Sequence, residues 1–562
     1  MLEAQFSTFS SLIEPVRQQV HQQPDTLALV FMEEDGRSRT YTRAQFWQTA
    51  VVAAQALQKQ KLGQDDLVIL VMHHSQELLA AFWGAMLIGA IPSIFPFLTE
   101  KLDPNIYMER VRTLVAHSQA RAIITFPDFQ PSLSRLLSHL DCQVLATDEV
   151  FEVSHLSPLV QDDKTWGEDK IAFLQHSSGT TGLQKGVALP HRSVLNQIES
   201  YSQAIGLNEQ DVIVSWLPLY HDMGLITGFI LPIVAGVPLV LMSPFDWVRD
   251  PKRLLWAIHE HRGTLCWLPN FAYNHMAKSI RKRDLEGLDL SYWRLAINCS
   301  EPVRLDSHQT FWQRFAPFGF QESALATCYA MAENTFAVTQ SKQPLRHQYI
   351  HLPQLQTNQI AIPTSSDDPQ ATAVVSCGRP ISGTEVAIVN ETGTRLPENY
   401  IGEIILRGNA MLSGYYQRPD LTAQAIRDGW YYTGDMGYLG DGELYITGRQ
   451  KDLIIMAGKN VYPQDLEAIA NDISGIYPGR AVAFGIMNER LGTEAIVMVC
   501  ELLATADPQA VEQALRRQIV TQTEITLTDV RLVEHRWVLK TSSGKLARSA
   551  NRDKYLQTFP PQ

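Results

Sequence analysis

A segment rich in glycine and hydroxyl residues, Ser177 to Lys185, has the residue types of a phosphate-binding loop. It follows a short apolar run, Ile171 to Leu174, that predicts a buried strand, and a second apolar run begins directly after it. Glycines let backbone N–H groups approach an anion closely, hydroxyls donate further hydrogen bonds, and Lys185 adds a mobile positive charge. The alternative is a flexible Ser/Gly linker, but a linker rarely joins two buried strands. We interpret the segment as a cradle for nucleotide phosphates.

Four further clusters of polar residues lie downstream, most of them directly after apolar runs. They are Tyr220-His221-Asp222; Asn298-Cys299-Ser300-Glu301-Pro302 with Cys328-Tyr329-Ala330-Met331-Ala332-Glu333; Tyr431 to Gly437 with Thr447 to Asp452; and Lys540 to Lys545. Each is weak in isolation, because Asp435 could cap a turn, Glu333 could be a solvated acid at a helix start, and His221 could be a core histidine. Ligands of open α/β sheets bind at the carboxyl ends of the strands, where such clusters would lie.

The elements that would position these clusters alternate between short β-rich runs and helix-length segments. Strands are predicted at 67–71, 122–126, 212–214 and 239–241, and helices at 76–88 and 251–261. This alternation predicts an α/β fold with a mostly parallel sheet and helices on both faces. The uncharged segment from Met223 to Met242 is long enough to span a bilayer, but Pro232, Gly236 and Pro238 interrupt it. A helix, a turn and a buried strand are predicted there instead.

The pattern changes after Thr339. Residues 341–373 are rich in Gln, Pro, Ser, Asp and Thr and predict a long loop or insertion. Strands of antiparallel type follow at 385–389, 403–407 and 443–448, with a hairpin signal at Asp441-Gly442, so a β-barrel-like subdomain is expected over 385–448. The last hundred residues mix helices (462–473, 507–522) with strands (481–485, 495–501, 530–534) and predict a separate α+β domain.

Composition excludes several classes of protein. The 562 residues should form at least two domains, since single cores rarely exceed ~300 residues. A net charge of −12 argues against a nucleic-acid-binding protein. Six scattered cysteines without a CxxC pair indicate neither disulfides nor zinc and fit a reducing cytoplasm. The first residues have neither a basic nor an apolar signal-peptide region.

In this order and spacing, the clusters resemble the adenylate-forming superfamily, which comprises acyl-CoA synthetases, luciferases and peptide-synthetase adenylation domains. The resemblance covers nearly the whole chain, and within the superfamily the motif sequences are most similar to those of the fatty acyl-AMP ligases. The sequence segments that show this similarity are Ser215-Trp216-Leu217-Pro218, His221 to Ile226, Met242 to Phe245, Pro269 to Tyr273, Gly287 to Ser291 and Glu301 to Arg304. Those ligases carry an insertion where residues 341–373 lie, and a mobile C-terminal domain.

The resemblance implies roles for the residues that match its motifs. Lys545 would bridge the substrate carboxylate and the α-phosphate as the main catalytic residue, assisted by His221, and Glu333 would hold Mg²⁺. The residues implied to bind ATP are Ser177, Ser178, Gly179, Thr180, Thr181, Gly182, Lys185, Ser300, Glu301, Pro302, Tyr329, Ala332, Asp435 and Arg449. Tyr329 would stack on adenine, and Asp435 would accept hydrogen bonds from the ribose. The implied substrate pocket consists of Asp222, Asn270, Asn298, Cys299, Cys328 and Ala330.

The resemblance also implies the domain plan and the reaction. Residues 1–448 would form the AMP-binding domain, 449–451 a hinge at Lys451, and 452–562 a lid domain. The enzyme would activate a fatty acid with ATP and Mg²⁺ and pass it to the phosphopantetheine arm of an acyl carrier protein, in a secondary-metabolite pathway. Cys299 and Ala330 stand where the family has glycines, and their added volume predicts a narrower or shorter pocket. An amino-acid or small-carboxylate adenylating enzyme, an acyl-CoA synthetase and a non-catalytic nucleotide-binding module remain alternatives.

Overall fold

A computed structural model of the protein describes residues 6–98, 104–151, 166–176, 185–456, 459–488, 493–523, 525–541 and 544–559. Within these ranges the chain is an α/β protein, which confirms the predicted fold class, and its strands and helices are numbered in chain order. The strands are β1 Leu27–Met32, β2 Ser38–Thr42, β3 Leu67–Val71, β4 Ile91–Ile94, β5 Ala122–Thr125, β6 Gln143–Ala146, β7 Ile171–His176, β8 Gly186–Pro190, β9 Ile213–Ser215, β10 Leu239–Met242, β11 Leu265–Leu268, β12 Leu295–Asn298, β13 Leu325–Ala330, β14 Ala337–Gln340, β15 His347–His351, β16 Ala371–Val375, β17 Arg379–Pro380, β18 Thr384–Val389, β19 Gly402–Gly408, β20 Gly414–Tyr415, β21 Ile426–Arg427, β22 Trp430–Gly440, β23 Glu443–Arg449, β24 Ile454–Met456, β25 Lys459–Val461, β26 Ile476–Asn488, β27 Thr493–Leu502 and β28 Asp529–Val533.

The helices lie between the strands and on the outer faces of the sheets. They are α1 Ile13–Gln22, α2 Arg43–Lys59, α3 Gln76–Leu87, α4 Pro104–Ser118, α5 Gln130–Leu136, α6 Thr147–Phe151, α7 His191–Ile205, α8 Asp222–Leu225, α9 Leu231–Ala235, α10 Pro244–Arg249, α11 Lys252–His261, α12 Asn270–Ser279, α13 Leu305–Phe315, α14 Leu352–Asn358, α15 Pro419–Ala425, α16 Pro463–Asn471, α17 Pro508–Thr523 and α18 Arg548–Thr558. A π-helical turn, Ile226–Ile230, joins α8 to α9.

Two large sheets make up most of the fold. The first has nine strands in the order β17-β14-β13-β12-β11-β9-β10-β1-β2, with β13 through β1 parallel and the remaining strands antiparallel at the two edges. The second has seven strands in the order β20-β8-β7-β4-β3-β5-β6, in which β7 and β4 through β6 are parallel. Strands such as β3, with every residue buried, are the continuous apolar runs expected of parallel strands covered on both faces.

The β-rich region forms a curled antiparallel sheet, as predicted. Its strands run β18-β19-β22-β21, and β23 pairs with β22. Asp441 and Gly442, which join β22 to β23, have φ of 53° and 72°. Positive φ at both central residues is what a two-residue hairpin turn of type I′ requires, and Asp-Gly adopts it readily.

The C-terminal region combines the three-stranded sheet β26-β27-β28 with helices α16, α17 and α18. Its buried apolar side chains form two clusters of their own, one on each face of this sheet, separate from the large core of the first 450 residues. Its α+β character is as predicted.

Three sequence predictions can be compared in detail. The interpretation of 341–373 as one long loop was wrong in part, because β15 and β16 pair in register over 347–351 and 371–375 and α14 lies between them. Polar side chains obscured this hairpin in the sequence, since few of its residues, among them Ile350, Leu355 and Val375, are buried and apolar. The segment Met223 to Met242 is the predicted helix, turn and strand, and no helix among the described residues is long and apolar enough to cross a membrane.

Candidate active site

The predicted phosphate loop joins two adjacent antiparallel strands. β7 and β8 pair with His176 opposite Gly186, and Ser177 to Gln184, which include the predicted ligands Ser177, Ser178, Gly179, Thr180, Thr181 and Gly182, lie outside the described residues. Lys185 is described, and its Nζ lies 4.6 Å from the centre of the Tyr415 ring. Because β20 pairs with β8, Tyr415 is held beside the base of the loop.

Glu333 is a partly buried carboxylate that is hydrogen-bonded to Tyr415. It lies in the 3₁₀ turn Ala332–Asn334 directly after β13, and its Oε1 accepts a hydrogen bond from the Tyr415 hydroxyl at 2.9 Å. The Tyr415 hydroxyl is in turn 3.1 Å from that of Tyr431. Burial raises the pKa of Glu333, and the charge of Asp222 raises it further, whereas the hydrogen bond from Tyr415 lowers it. Tyr415 was not singled out from the sequence. Tyr431 opens the predicted cluster Tyr431 to Gly437 without an assigned role, and period-2 alternation along β22 places it on the same face as Asp435.

Asp435 lies between a tyrosine and an arginine. Its Oδ2 accepts a 2.6 Å hydrogen bond from the Tyr329 hydroxyl, and its Oδ1 accepts one from Arg449 Nε at 3.0 Å. Burial and the charge of Asp435 both raise the pKa of Tyr329, which therefore stays a hydrogen-bond donor. The charge of Asp435 raises the pKa of Arg449. β13, β22 and β23 thus bring three predicted nucleotide ligands together.

His221 and Asp222 form an ion pair at the start of α8, with Nδ1 and Oδ1 2.6 Å apart. The same Oδ1 accepts the backbone N–H of Met223. Burial alone would raise the pKa of Asp222, but the charge and hydrogen bond of His221, together with the charge of Lys545, hold it at about 2. Asp222 is therefore ionised at neutral pH.

Lys545 is partly buried and reaches this acidic neighbourhood from the C-terminal region. Burial lowers the pKa of Lys545, and the charges of Asp222 and Glu301 oppose that shift. Its loop is closed by paired hydrogen bonds, in which Thr541 N donates to the Lys545 carbonyl and Lys545 N donates to Thr541 Oγ1. Ser542 and Ser543, between them, lie outside the described residues.

The turn after β12 carries Ser300, Glu301 and Pro302. Ser300 has φ of 70°, a left-handed conformation that is unfavourable for a non-glycine residue and clusters at functional sites. Glu301 Oε2 accepts the backbone N–H of Phe271 at 2.9 Å. Burial raises the pKa of Glu301, and the Phe271 N–H and the charge of Lys545 lower it. Pro302 is exposed beside them.

The two predicted pocket asparagines lie in a buried polar network. Asn298 Nδ2 donates to Asn270 Oδ1 at 3.0 Å and is 2.8 Å from His308 Nε2. Asn270 Nδ2 donates to Ser307 Oγ. This network ties the ends of β11 and β12 to α13. Asn298 Oδ1 has no hydrogen-bond partner among the described residues.

The less polar residues predicted for the substrate pocket pack into the core of the protein. Cys299 and Cys328 are buried, and Ala330 packs against the large core at the end of β13. Burial raises the pKa of Cys328 well above that of a free thiol, so this cysteine is an apolar wall and not a nucleophile. Lys451 is exposed in the 3₁₀ turn Gln450–Asp452, which joins β23 to the C-terminal region.

The described predicted residues therefore lie around one region, at the carboxyl ends of β12 and β13. There the charges of Asp222, Glu301 and Arg449 act on the pKa of Lys545, and those of Asp435 and Glu333 act on the pKa of Arg449. Such a set can bind a polyanion and offset the negative charge that accumulates when two anions react. The roles assigned to individual residues stay predictions.

Comparison with known proteins gives a consistent result. A family model described as AMP-binding enzyme matches residues 16–416. JamA of Moorena producens, a medium-chain-fatty-acid–[acyl-carrier-protein] ligase, is 32% identical over 98% of this chain and 95% of its own. The long-chain-fatty-acid–AMP ligase FadD32 of Mycolicibacterium smegmatis is 30% identical over 99% of this chain and 95% of its own.

Solved structures are similar over the same length. One, from work on fatty acyl-adenylate ligases of E. coli and L. pneumophila, superimposes with a TM-score of 0.90 at 26% identity, covering 99% of this chain and 98% of that chain. The L. pneumophila fatty acyl-adenylate ligase in complex with acyl adenylate and pyrophosphate has a TM-score of 0.75 at 28% identity, with coverage of 99% and 98%.

Proposed function

The chain belongs to the family of AMP-binding enzymes, and from this premise we propose that it activates a fatty acid with ATP and transfers the acyl group to an acyl carrier protein. It is an acyl-adenylate-forming ligase, like relatives that match it from end to end. The observation that carries the proposal is the position of Lys545, which shares its surroundings with Asp222, Glu301 and Arg449.

The first half-reaction joins two anions. A carboxylate oxygen bonds to the α-phosphorus of ATP, the bond from that phosphorus to the bridging oxygen breaks, and pyrophosphate leaves. The Lys545 ammonium offsets the charge that accumulates between the carboxylate and the α-phosphate. His221, fixed through Nδ1 by Asp222, orients the incoming carboxylate through its other ring nitrogen. Little covalent work falls to the protein, so positioning dominates the rate.

Nucleotide binding is assigned to the residues around Asp435. Tyr329 and Arg449 each donate to one oxygen of Asp435, and a carboxylate has further lone pairs with which to accept the ribose hydroxyls. The loop 177–185 is proposed to hold the phosphates, and Ser300, Glu301, Pro302 and Ala332 are proposed to complete the nucleotide site.

The residues present fit Mg²⁺ carried in by ATP. Magnesium is usually held by one or two carboxylates together with substrate phosphates and waters. Among the described residues there is no cluster of three or more His, Cys, Asp or Glu side chains that could cage a metal, whereas Glu333 offers one carboxylate whose orientation Tyr415 fixes. When bound, the ion would neutralise phosphate charge, and the part of Glu333 is to hold it at the phosphates.

The second half-reaction is proposed to use the phosphopantetheine thiol of a carrier protein, which displaces AMP from the acyl carbon. The name of JamA supports this acceptor. The insertion supports it too, because Ile350 and Leu355 share a small buried cluster with Tyr462, on the C-terminal side of Lys451. We place a hinge at 449–451, between a domain over 1–448 and a lid over 452–562, and expect the insertion to restrain that lid. The six free cysteines fit our expectation of a cytoplasmic enzyme.

Product analysis tests the acceptor. The enzyme, ATP, Mg²⁺ and a fatty acid are incubated with a holo carrier protein, with the same carrier lacking its phosphopantetheine, or with coenzyme A. Mass spectrometry should show acyl-adenylate in all three mixtures and an acyl-thioester mainly on the holo carrier. Acyl-coenzyme A as the dominant product would reject the carrier assignment, and absence of acyl-adenylate would reject adenylation.

A further inference from the structure

Arg304 links the active-site turn to the C-terminal region. It follows Glu301-Pro302-Val303, and its Nη2 donates to the backbone carbonyl of Gln464 at 2.8 Å and lies 3.4 Å from Asp465 Oδ1. Gln464 and Asp465 belong to the first turn of α16, beyond Lys451 in the chain. The backbone N–H of Arg304 donates to Asn270 Oδ1, so the buried asparagine network fixes the arginine from behind.

The same helix also holds the segment that follows Lys545. Glu467, one turn or less along α16, forms a two-pronged ion pair with Arg548, through 2.8 and 2.6 Å hydrogen bonds. Arg548 also donates to Asp452 Oδ2 at 2.8 Å. Arg548 is three residues after Lys545, and Asp452 directly follows Lys451.

We propose that Arg304 is a positioning residue for adenylation, which docks α16 against the active-site turn and thereby sets where Lys545 lies. The inference rests on the proposed function and deepens it. The linkage runs from the turn after β12 through Arg304 to α16, and from α16 through Glu467 and Arg548 to the lysine loop. Arg304 touches neither the substrate nor Lys545 itself.

Arginine suits this task because its rigid, planar guanidinium group can donate hydrogen bonds to two acceptors at once. Here the acceptors are a carbonyl and a carboxylate on neighbouring residues. The pair is about one-third exposed, with side-chain exposures of 33% and 38%, so it contributes a modest interaction and not a permanent bond. A contact of this size biases the docked arrangement and can still be released within one catalytic cycle.

The test separates the two half-reactions. Arg304→Ala should slow ATP–pyrophosphate exchange about threefold to fivefold, the size expected when a partly exposed hydrogen bond from a charged group is lost. Transfer from supplied acyl-adenylate to the holo carrier should be unchanged or faster, because it does not need Lys545 at the α-phosphate. Equal loss in both steps, or no loss in exchange, would overturn the proposal.

Two comparisons exclude a general stability effect. Arg314→Ala, on α13, removes a similar arginine–carbonyl hydrogen bond that stays within the N-terminal region, to Ile280, and should leave exchange unchanged. In a double-mutant cycle, Asp465→Ala added to Arg304→Ala should cost little more than Arg304→Ala alone, because Asp465 acts here only through Arg304, whereas additive losses would refute the shared contact.

A readout without catalysis keeps this test independent of the proposed function. Undocking loosens the backbone of the connecting segment, whose Arg449 and Lys451 are already exposed, so trypsin should cut after either residue faster in Arg304→Ala than in the unmodified protein or in Arg314→Ala. Equal cleavage rates would overturn the positioning role. If the unmodified enzyme shows no exchange with any acid, the proposed function fails while this cleavage comparison still decides the docking contact.

Discussion

Lys545 is the side chain on which the proposed chemistry depends most. It brings a positive charge from the C-terminal region to Asp222 and Glu301, where a carboxylate and a phosphate would meet. Lys545→Ala should reduce ATP–pyrophosphate exchange by ~10²-fold or more, as loss of one electrostatic stabiliser commonly does. Lys554→Ala, which removes a lysine from α18, is the control and should stay near the unmodified rate. Exchange within threefold of normal in Lys545→Ala would contradict the assignment.

The pH dependence of exchange follows from the charge beside this lysine. Burial lowers the pKa of Lys545 and Asp222 raises it, so Asp222→Asn should lower it further. Since the ammonium form is required, the alkaline limb of the exchange profile should move to lower pH. Asp222 has a pKa of about 2 and is ionised throughout an assay from pH 7 to 10.

A surface variant, Asp420→Asn, provides the control for this titration. Asp420, on α15, forms an exposed ion pair with Arg418, which directly precedes that helix. The alkaline limb of Asp420→Asn should match that of the unmodified enzyme. An unchanged limb in Asp222→Asn, or one shifted to higher pH, would show that Asp222 does not stabilise the charged lysine.

At the scale of elements, the pairing of β20 with β8 places Tyr415 between Lys185 and Glu333. Its ring faces Lys185 and its hydroxyl holds Glu333. Tyr415→Phe keeps the ring and removes only the hydroxyl, so the Mg²⁺ and ATP concentrations needed for half-maximal exchange should rise about tenfold. Tyr431→Phe should have a smaller effect, because the hydrogen bond of Tyr415 lowers the pKa of Glu333 more than that of Tyr431 does.

Tyr438→Phe is the matched control, because its hydroxyl donates to Gln348, in the insertion. Its Mg²⁺ titration should be normal. An equally normal titration in Tyr415→Phe would mean that Glu333 needs no orientation, or that the metal lies elsewhere.

The insertion acts as an element through α14. Leu355 is only 3% exposed in the cluster that contains Tyr462, and truncating a buried leucine costs ~2–5 kcal/mol. Leu355→Ala should loosen the C-terminal region locally and raise the ratio of acyl-coenzyme A to acyl-carrier product. Ile362→Ala, at an exposed position of the same insertion, should not change that ratio. An unaltered ratio in Leu355→Ala would refute the restraining role.

At the scale of the whole molecule, strongly patterned elements could be predicted and weakly patterned ones could not. β3 and α3 agree with their predictions within one residue. Both are continuous apolar runs, and their lengths, five and twelve residues, separate a buried strand from a buried helix. The β15–β16 hairpin could not be predicted, because its strands carry mostly polar side chains and their pairing is decided by contacts distant in sequence.

The residues of the candidate site were likewise predictable only in part. Its described residues were found by motif, and the structure gathers them at the ends of β12 and β13. Tyr415, Arg304 and Arg548 hold them in place. Tyr415 and Arg548 lie in none of the quoted motifs, and Arg304 ends one, Glu301 to Arg304, without any role being implied for it. Each acts through a partner more than eighty residues away. Sequence spacing cannot reveal such pairs. Asn270 and Asn298 were predicted for the substrate pocket, and their amides are engaged with each other.

One measurement tests the central claim most directly: ATP–pyrophosphate exchange across fatty acids of increasing length, short carboxylates and the twenty amino acids. Exchange driven by fatty acids is the predicted result, and a preference for medium over long chains would agree with the volume added by Cys299 and Ala330. Exchange driven by a single amino acid would contradict the fatty-acid assignment. No exchange with any acid, using folded protein and Mg²⁺, would contradict the enzymatic claim itself.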